Sequence, residues 1–164
     1  MPPKATILLV DDQQDDARLV QRCFERARIL NPLMILNSGE ECIKYLSGSG
    51  EFADREEFPI PSLVLLDLRM PGMDGYEVVS WIRSRPEFQK LRVVVLTGFG
   101  DMASVSKAYQ LGANSFITKP MDFEKFIEIS QTFGGLWLWL DTPENPGSLA
   151  RTQPGLSTER RKLA

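Results

Sequence analysis

PSLVLLDLRMPGMDGYEV, residues 61–78, is the stretch on which the fold turns. Four consecutive apolar residues, Leu63 to Leu66, leave a strand no face for water, so other elements must cover both of its sides. The run ends in a carboxylate, Asp67, and a turn rich in Pro and Gly follows. Asp74, with Glu77 three residues on, then supplies the side chains that start a helix over YEVVSWI. An acid at the exit of a fully buried strand is costly, and its presence needs a reason.

The same unit recurs on both sides of this stretch. TILLV (6–10) reads as a first buried strand. Ala17, Val20, Cys23, Phe24 and Ala27 then fall at helical spacing, with Arg18, Gln21, Arg22, Glu25 and Arg26 turned to water. LMIL (33–36) is a shorter second strand. Ser38 opens the next helix, with Glu41 at the capping-box spacing in which each side chain satisfies the other's free backbone amide. VVVL (93–96) is the fourth strand, Asp101 to Leu111 a helix ended by Gly112, SFIT (115–118) a fifth strand, and Asp122 to Phe133 a last helix ended by Gly134 and Gly135. Five strand-helix units predict an α/β fold: a doubly wound, five-stranded parallel sheet with helices on both faces and right-handed crossovers.

Length and charge narrow the function. With 164 residues, 43% hydrophobic and 25% charged, the chain has the proportions of one globular domain. A net charge of −3 gives no general attraction to phosphate backbones, so direct nucleic-acid binding is not expected. Histidine is absent, which excludes His-based triads and His metal sites. Cys23 and Cys42 sit at apolar helix positions far from any CxxC spacing and read as reduced core thiols. The N-terminus has no long apolar region, and no run approaches the roughly 18 apolar residues of a membrane span. The expected location is the cytoplasm.

Two segments fall outside the repeat. Residues 47–62, SGSGEFADREEFPIPS, form a polar loop longer than the roughly 2 to 6 residues usual for such connections, and it is read as functional or mobile. Residues 141–164, rich in Pro, Gly, Ser and Arg, read as a disordered tail. Trp137, Leu138, Trp139 and Leu140 precede that tail and either meet a partner or a second copy, or fold back on the last helix.

In an open parallel sheet, ligands bind beyond the carboxyl ends of the strands, where strand order reverses. The first strand delivers Asp11 and Asp12 there, the third Asp67, the fourth Thr97, and the fifth Lys119 followed by Pro120. Three carboxylates in one pocket repel each other, and burial raises the cost of their charge. A hard divalent cation relieves both problems, and a small all-oxygen set with room for water favours Mg²⁺. A cation so held attracts a phosphoryl group, whose oxygens also suit the Lys119 ammonium and the Thr97 hydroxyl. Asp67 is then placed as a nucleophile that forms an aspartyl phosphate.

These residues carry a family resemblance. The acidic pair after strand one, LLDLRMPGMDG, VVVLTG and ANSFITKP stand in order at the ends of the expected strands, and over about residues 5–135 the chain resembles the receiver domains of two-component response regulators. The resemblance implies the flavodoxin-like (CheY-like) strand order 2-1-3-4-5, with a receiver domain over 1–140 that includes an aromatic extension at 134–140. It implies a single-domain response regulator that takes a phosphoryl group from a sensor histidine kinase onto Asp67. Asp12, Asp67 and the backbone carbonyl of Arg69 would bind Mg²⁺ directly, and Asp11 largely through water. Thr97 and Lys119 would contact the phosphoryl oxygens, Phe116 would turn inward when Thr97 moves, and the bond before Pro120 would be cis. Output would be a changed contact with a downstream protein.

The long acidic loop before strand three, KAYQLGANSFITKPMDFEKF and GLWLWL are similar to the small stand-alone regulators that accompany bacterial phytochromes. That likeness implies a light-regulated kinase as donor and a homodimer formed with the help of the loop and of residues 134–140. Arg69 departs from the small or amide residue common two places after the phosphoacceptor, and its side chain either shields or crowds the hydrolytic water.

Two other functions compete. A Mg²⁺-dependent phosphatase that also forms an aspartyl phosphate places a second Asp two residues after its nucleophile, where this chain has Arg69. A constitutive scaffold that never takes phosphate usually loses an acid or the lysine, and this chain keeps them all. Taken singly, the acids after strand one suit a helix cap, Thr97 an ordinary strand end and Phe116 the core. Asp15, Asp16, Asp74, Asp101 and Asp122 are read as caps and first-turn charges that complement helix dipoles, with no part in the chemistry.

Overall fold

The computed structural model describes residues 6–26, 29–98 and 102–119. Five strands, β1 (Ile7–Val10), β2 (Leu33–Leu36), β3 (Leu63–Asp67), β4 (Arg92–Thr97) and β5 (Ser115–Thr118), form one sheet in the order β2-β1-β3-β4-β5. Every pairing is parallel. Helices α1 (Gln14–Arg26), α2 (Gly39–Ser47), α3 (Gly75–Ser84) and α4 (Met102–Leu111) alternate with them. The expected helix over 122–133, the segment 134–140, the tail 141–164 and Pro120 lie outside the described residues.

Alternation along the buried strands explains why apolar runs were needed. Ile7, Leu9, Leu63, Leu65, Val94, Leu96 and Ile117 point to one face, where α1 covers them with Ala17, Val20, Cys23 and Phe24. Leu8, Val10, Val64, Leu66, Val93 and Val95 point to the other, against Cys42, Tyr45 and Leu46 of α2, Val78, Val79 and Ile82 of α3 and Ala108 of α4. Each fully buried Leu or Val contributes roughly 1.5–3 kcal/mol over the exposed state. Both cysteines are free and buried, as expected. Burial alone pushes the Cys42 thiol up to about 12, so it stays protonated and inert.

Local signals set the helix ends. Asp74 caps α3 in a full capping box: its side chain accepts from the Glu77 amide at 2.9 Å, and Glu77 accepts from the Asp74 amide at 3.1 Å. At α2 the expected box is only half formed. Ser38 accepts from the Glu41 amide at 3.1 Å, but the Glu41 carboxylate reaches one residue further back and accepts from the Asn37 amide at 2.8 Å. The helix is capped either way, because a carboxylate near its N-terminus meets free amides and the positive dipole end.

The loop over 47–62 is polar in composition and packed in structure. Gly48 turns the chain out of α2 in the left-handed conformation (φ 68°). Phe52 is buried, and its ring meets those of Tyr45 and Phe58 at centroid distances of 5.1 Å each. Arg55 donates to the carbonyls of Tyr45 (2.8 Å), Leu46 (2.8 Å) and Phe58 (3.1 Å), closing the C-terminus of α2. Among the described residues no helix is long and apolar enough to cross a membrane.

Candidate functional site

Strand register carries the acids to one place. Val10 of β1 pairs with Leu66 of β3, so Asp11 and Asp67 leave adjacent strands side by side; Asp67 in turn pairs with Leu96, and Thr97 with Thr118. The chain reverses its direction of growth between β1 and β3, which puts this meeting at the carboxyl-end crevice of the sheet. Beyond β5, the Lys119 amide donates to the Thr97 carbonyl at 2.7 Å, which turns its side chain back across the strand ends.

Asp11, Asp12 and Asp67 each offer one carboxylate oxygen, and the three lie within 4.8 Å of one another. Two asparagine-like turns fix the geometry: Asp11 Oδ1 accepts from the Gln13 amide (2.9 Å), and Asp67 Oδ1 accepts from the Arg69 amide (3.2 Å). Gly75 makes room for the Asp67 strand end, because a Cβ on it would stand 2.5 Å from the Asp67 carbonyl oxygen.

Lys119 Nζ bridges this cluster, 3.0 Å from Asp11 Oδ2 and 3.3 Å from Asp67 Oδ2. It also donates to Asp16 Oδ2 at 2.9 Å. The Asp11 contact is an ion pair without a directed hydrogen bond, and the buried oxygens Asp11 Oδ2 and Asp12 Oδ1 accept none. Burial, reinforced by the charge of Asp11, holds the Asp67 carboxyl up at about 6, against the pull of Lys119 and the Arg69 amide. Lys119 moves up as well: burial alone would lower it, but the hydrogen bond to Asp16 and the close negative charges of Asp11 and Asp67 outweigh that. One ammonium shared by several buried acids leaves the pocket short of positive charge. Hard oxygen donors with orphaned lone pairs fit a small divalent cation.

Of the residues expected at the site, Asp11, Asp12, Asp67 and Lys119 converge, the Arg69 amide donates to Asp67, and Thr97 is buried at the adjoining strand end. Phe116 lies apart from the carboxylates. It is half-buried, packs against the core on the α3 and α4 face, and meets Tyr109 edge-on at 6.3 Å. Asp16, expected only as a helix-dipole charge, is instead a direct partner of Lys119. The sequence signal for it was its place in the first turn of α1, which starts just beyond the carboxyl end of β1.

The fold, the strand-end acids and the lysine define a class. The model of the response regulator receiver domain family matches residues 7–131, and the chain belongs to that family. Within it, the chain is similar to response regulator Rcp1 of Synechocystis sp., with 36% identity over 137 residues that span 84% of this chain and 90% of that protein. The crystal structure of the Mn²⁺-bound form of Rcp1 superposes with a TM-score of 0.68 at 34% identity, over 81% of this chain and 94% of that one. The bacteriophytochrome response regulator RtBRR gives a TM-score of 0.73 at 30% identity, covering 98% and 92% of the two chains. The expected likeness to phytochrome response regulators is borne out.

Proposed function

We propose that this chain is a phosphorylation-controlled switch in which Asp67 accepts a phosphoryl group from a sensor histidine kinase. The observation that carries this reading is the Asp67 carboxylate at the open end of β3, inside a three-acid cluster with orphaned buried oxygens and 3.3 Å from an ammonium. An Asp67 oxygen attacks phosphorus; the bond from phosphorus to the kinase's histidine nitrogen breaks, and the nitrogen keeps the electron pair. Asp12, Asp67 and the backbone carbonyl of Arg69 would hold Mg²⁺, with Asp11 acting through water. Mg²⁺ held there would supply positive charge to the phosphoryl group during transfer.

The chain's own residues do the rest. The Arg69 amide fixes one Asp67 oxygen and leaves the other toward Lys119. Lys119 and the Thr97 hydroxyl then take up phosphoryl oxygens, which adds about −1.5 to −2 charge to the pocket to be neutralised. Movement of Thr97 lets Phe116 turn inward, and the α4–β5 face changes its contact with a downstream protein. Similarity to RtBRR, a bacteriophytochrome response regulator, supports a phytochrome-type kinase as donor; a cytoplasmic setting and a homodimer through residues 134–140 are part of the same proposal.

The test is the intact mass after incubation with Mg²⁺ and acetyl phosphate. The wild type is expected to gain one phosphoryl group and the Asp67→Asn variant none. No gain by the wild type, under conditions that label a control receiver, overturns the reading.

A further inference from the structure

Lys119 has three N–H donors and three carboxylate neighbours: Asp16 at 2.9 Å, Asp11 at 3.0 Å and Asp67 at 3.3 Å. Asp16 is the nearest, yet it is not one of the three acids whose oxygens converge as a cation site. Among the described residues, the partner its carboxylate shows is the ammonium. A phosphoryl group on Asp67 would bring new acceptor oxygens to the place Lys119 already reaches, and a donor must be released to meet them. Asp11 and Asp67 would keep the compensation of a bound cation, with Asp11 acting through water. The Asp16 side chain is 31% exposed, against 0% for Asp11 and 6% for Asp67, so water replaces the ammonium most readily there.

We propose that Asp16 is a positioning residue that holds Lys119 in the unphosphorylated state, and that Lys119 leaves Asp16 for a phosphoryl oxygen when Asp67 is modified. Asp16 thereby biases the switch toward its resting form. The inference rests on the reading of Asp67 as phosphoacceptor. A second consequence separates it from an ordinary helix-dipole role: Asp15, in the same first turn of α1 and exposed, carries the same charge but forms no ion pair with Lys119.

The experiment is calorimetric titration of the intact protein with beryllofluoride, a phosphoryl mimic, at saturating Mg²⁺. The Asp16→Asn variant is expected to bind it about 3- to 10-fold more tightly than wild type, the size expected of a partly exposed ion pair that no longer competes. Asp15→Asn is expected to match wild type, as is Asp16→Glu, which keeps the charge. In a Lys119→Met background the gain from Asp16→Asn should vanish. Mg²⁺ affinity without beryllofluoride should change less than about twofold, since Asp16 is not a candidate ligand. Unchanged or weaker beryllofluoride binding by Asp16→Asn overturns the inference. So does an equal gain from Asp15→Asn, or a gain that survives removal of Lys119. If wild type itself takes up no beryllofluoride, or Asp67→Asn takes it up as well, the phosphoacceptor reading fails instead.

Discussion

The two ends of the sheet treat half-buried cations in opposite ways. At the carboxyl end, the Lys119 ammonium is shared by three acids, and Asp11 Oδ2 and Asp12 Oδ1 stay without a hydrogen bond. At the amino end, guanidinium groups meet neutral oxygens. Arg83 donates to the carbonyls of Gly112 (2.9 Å), Phe88 (3.0 Å) and Gln89 (3.3 Å) and to Asn114 Oδ1 (2.9 Å), and Asn114 Oδ1 also accepts from the Val93 amide at 2.8 Å. Arg55 does the same for the loop before β3. A planar fork on fixed carbonyls has one satisfied arrangement. A compact ammonium among acids has several, and those acids await more positive charge. One end holds the fold, and the other keeps a conflict that a ligand resolves.

The largest test of this contrast is Arg83→Met. It removes four hydrogen bonds at the starts of β4 and β5; Asn114 Oδ1 keeps the Val93 amide and the Phe88 carbonyl the Leu91 amide, while the carbonyls of Gly112 and Gln89 lose the guanidinium, whose pKa is lowered by burial and by Arg92. Urea unfolding should show a loss of about 2–4 kcal/mol, while acetyl phosphate labels the folded fraction as in wild type. A loss under about 1 kcal/mol, or a labelling defect in folded protein, would break the division between the two ends.

Next in size, and opposite in sign, is Asp67→Asn in the absence of divalent cation. The folded carboxyl titrates at about 6, against roughly 3.9 for an unfolded Asp. Between about pH 4 and 6 the folded state binds the extra proton, so this group's contribution to stability falls as pH rises through that window and stays low above it. The variant carries no such group. Its stability relative to wild type should therefore rise from about pH 4 to pH 7 by on the order of 2–3 kcal/mol, measured by unfolding in chelator. A flat difference would mean that Lys119 already compensates Asp67, leaving no conflict at this end.

Most of the fold was legible because it depends on one-dimensional patterns. Apolar runs such as Leu63–Leu66 can exist only between two covered faces, and cap residues such as Asp74 act within their own turn. Asp11, Asp12, Asp67 and Lys119 were legible for a related reason: each follows a strand directly, and parallel register brings strand ends together. The packed loop was not legible. Phe52 and Phe58 follow no period, and the partners of Arg55 are backbone carbonyls, which every sequence has and none displays. Asp16 was misread because a first-turn acid satisfies the helix dipole whether or not a lysine that follows β5 at the same end of the sheet reaches it. Tertiary contact, 103 residues away in sequence, decided its role.

The smallest effect tests whether the conflict at the carboxyl end is one that Mg²⁺ resolves. A ligand that binds only the folded state stabilises by RT ln(1 + [L]/Kd), about 1.4 kcal/mol at ten times Kd. Mg²⁺ should raise the melting temperature of wild type and of Arg83→Met by similar increments, because the arginine cluster holds no part of the acid site. In Asp12→Asn the increment should shrink toward zero, since Asp12 Oδ1 is one of the two buried oxygens without a hydrogen bond and has most to gain from a cation. Ca²⁺ in place of Mg²⁺ distinguishes a site from a diffuse response: a general screening of acidic charge would treat both ions and both variants alike. Selective loss in Asp12→Asn ties the increment to the pocket that register assembled. An unchanged increment there would place the ion elsewhere, and the orphaned oxygens would need another explanation.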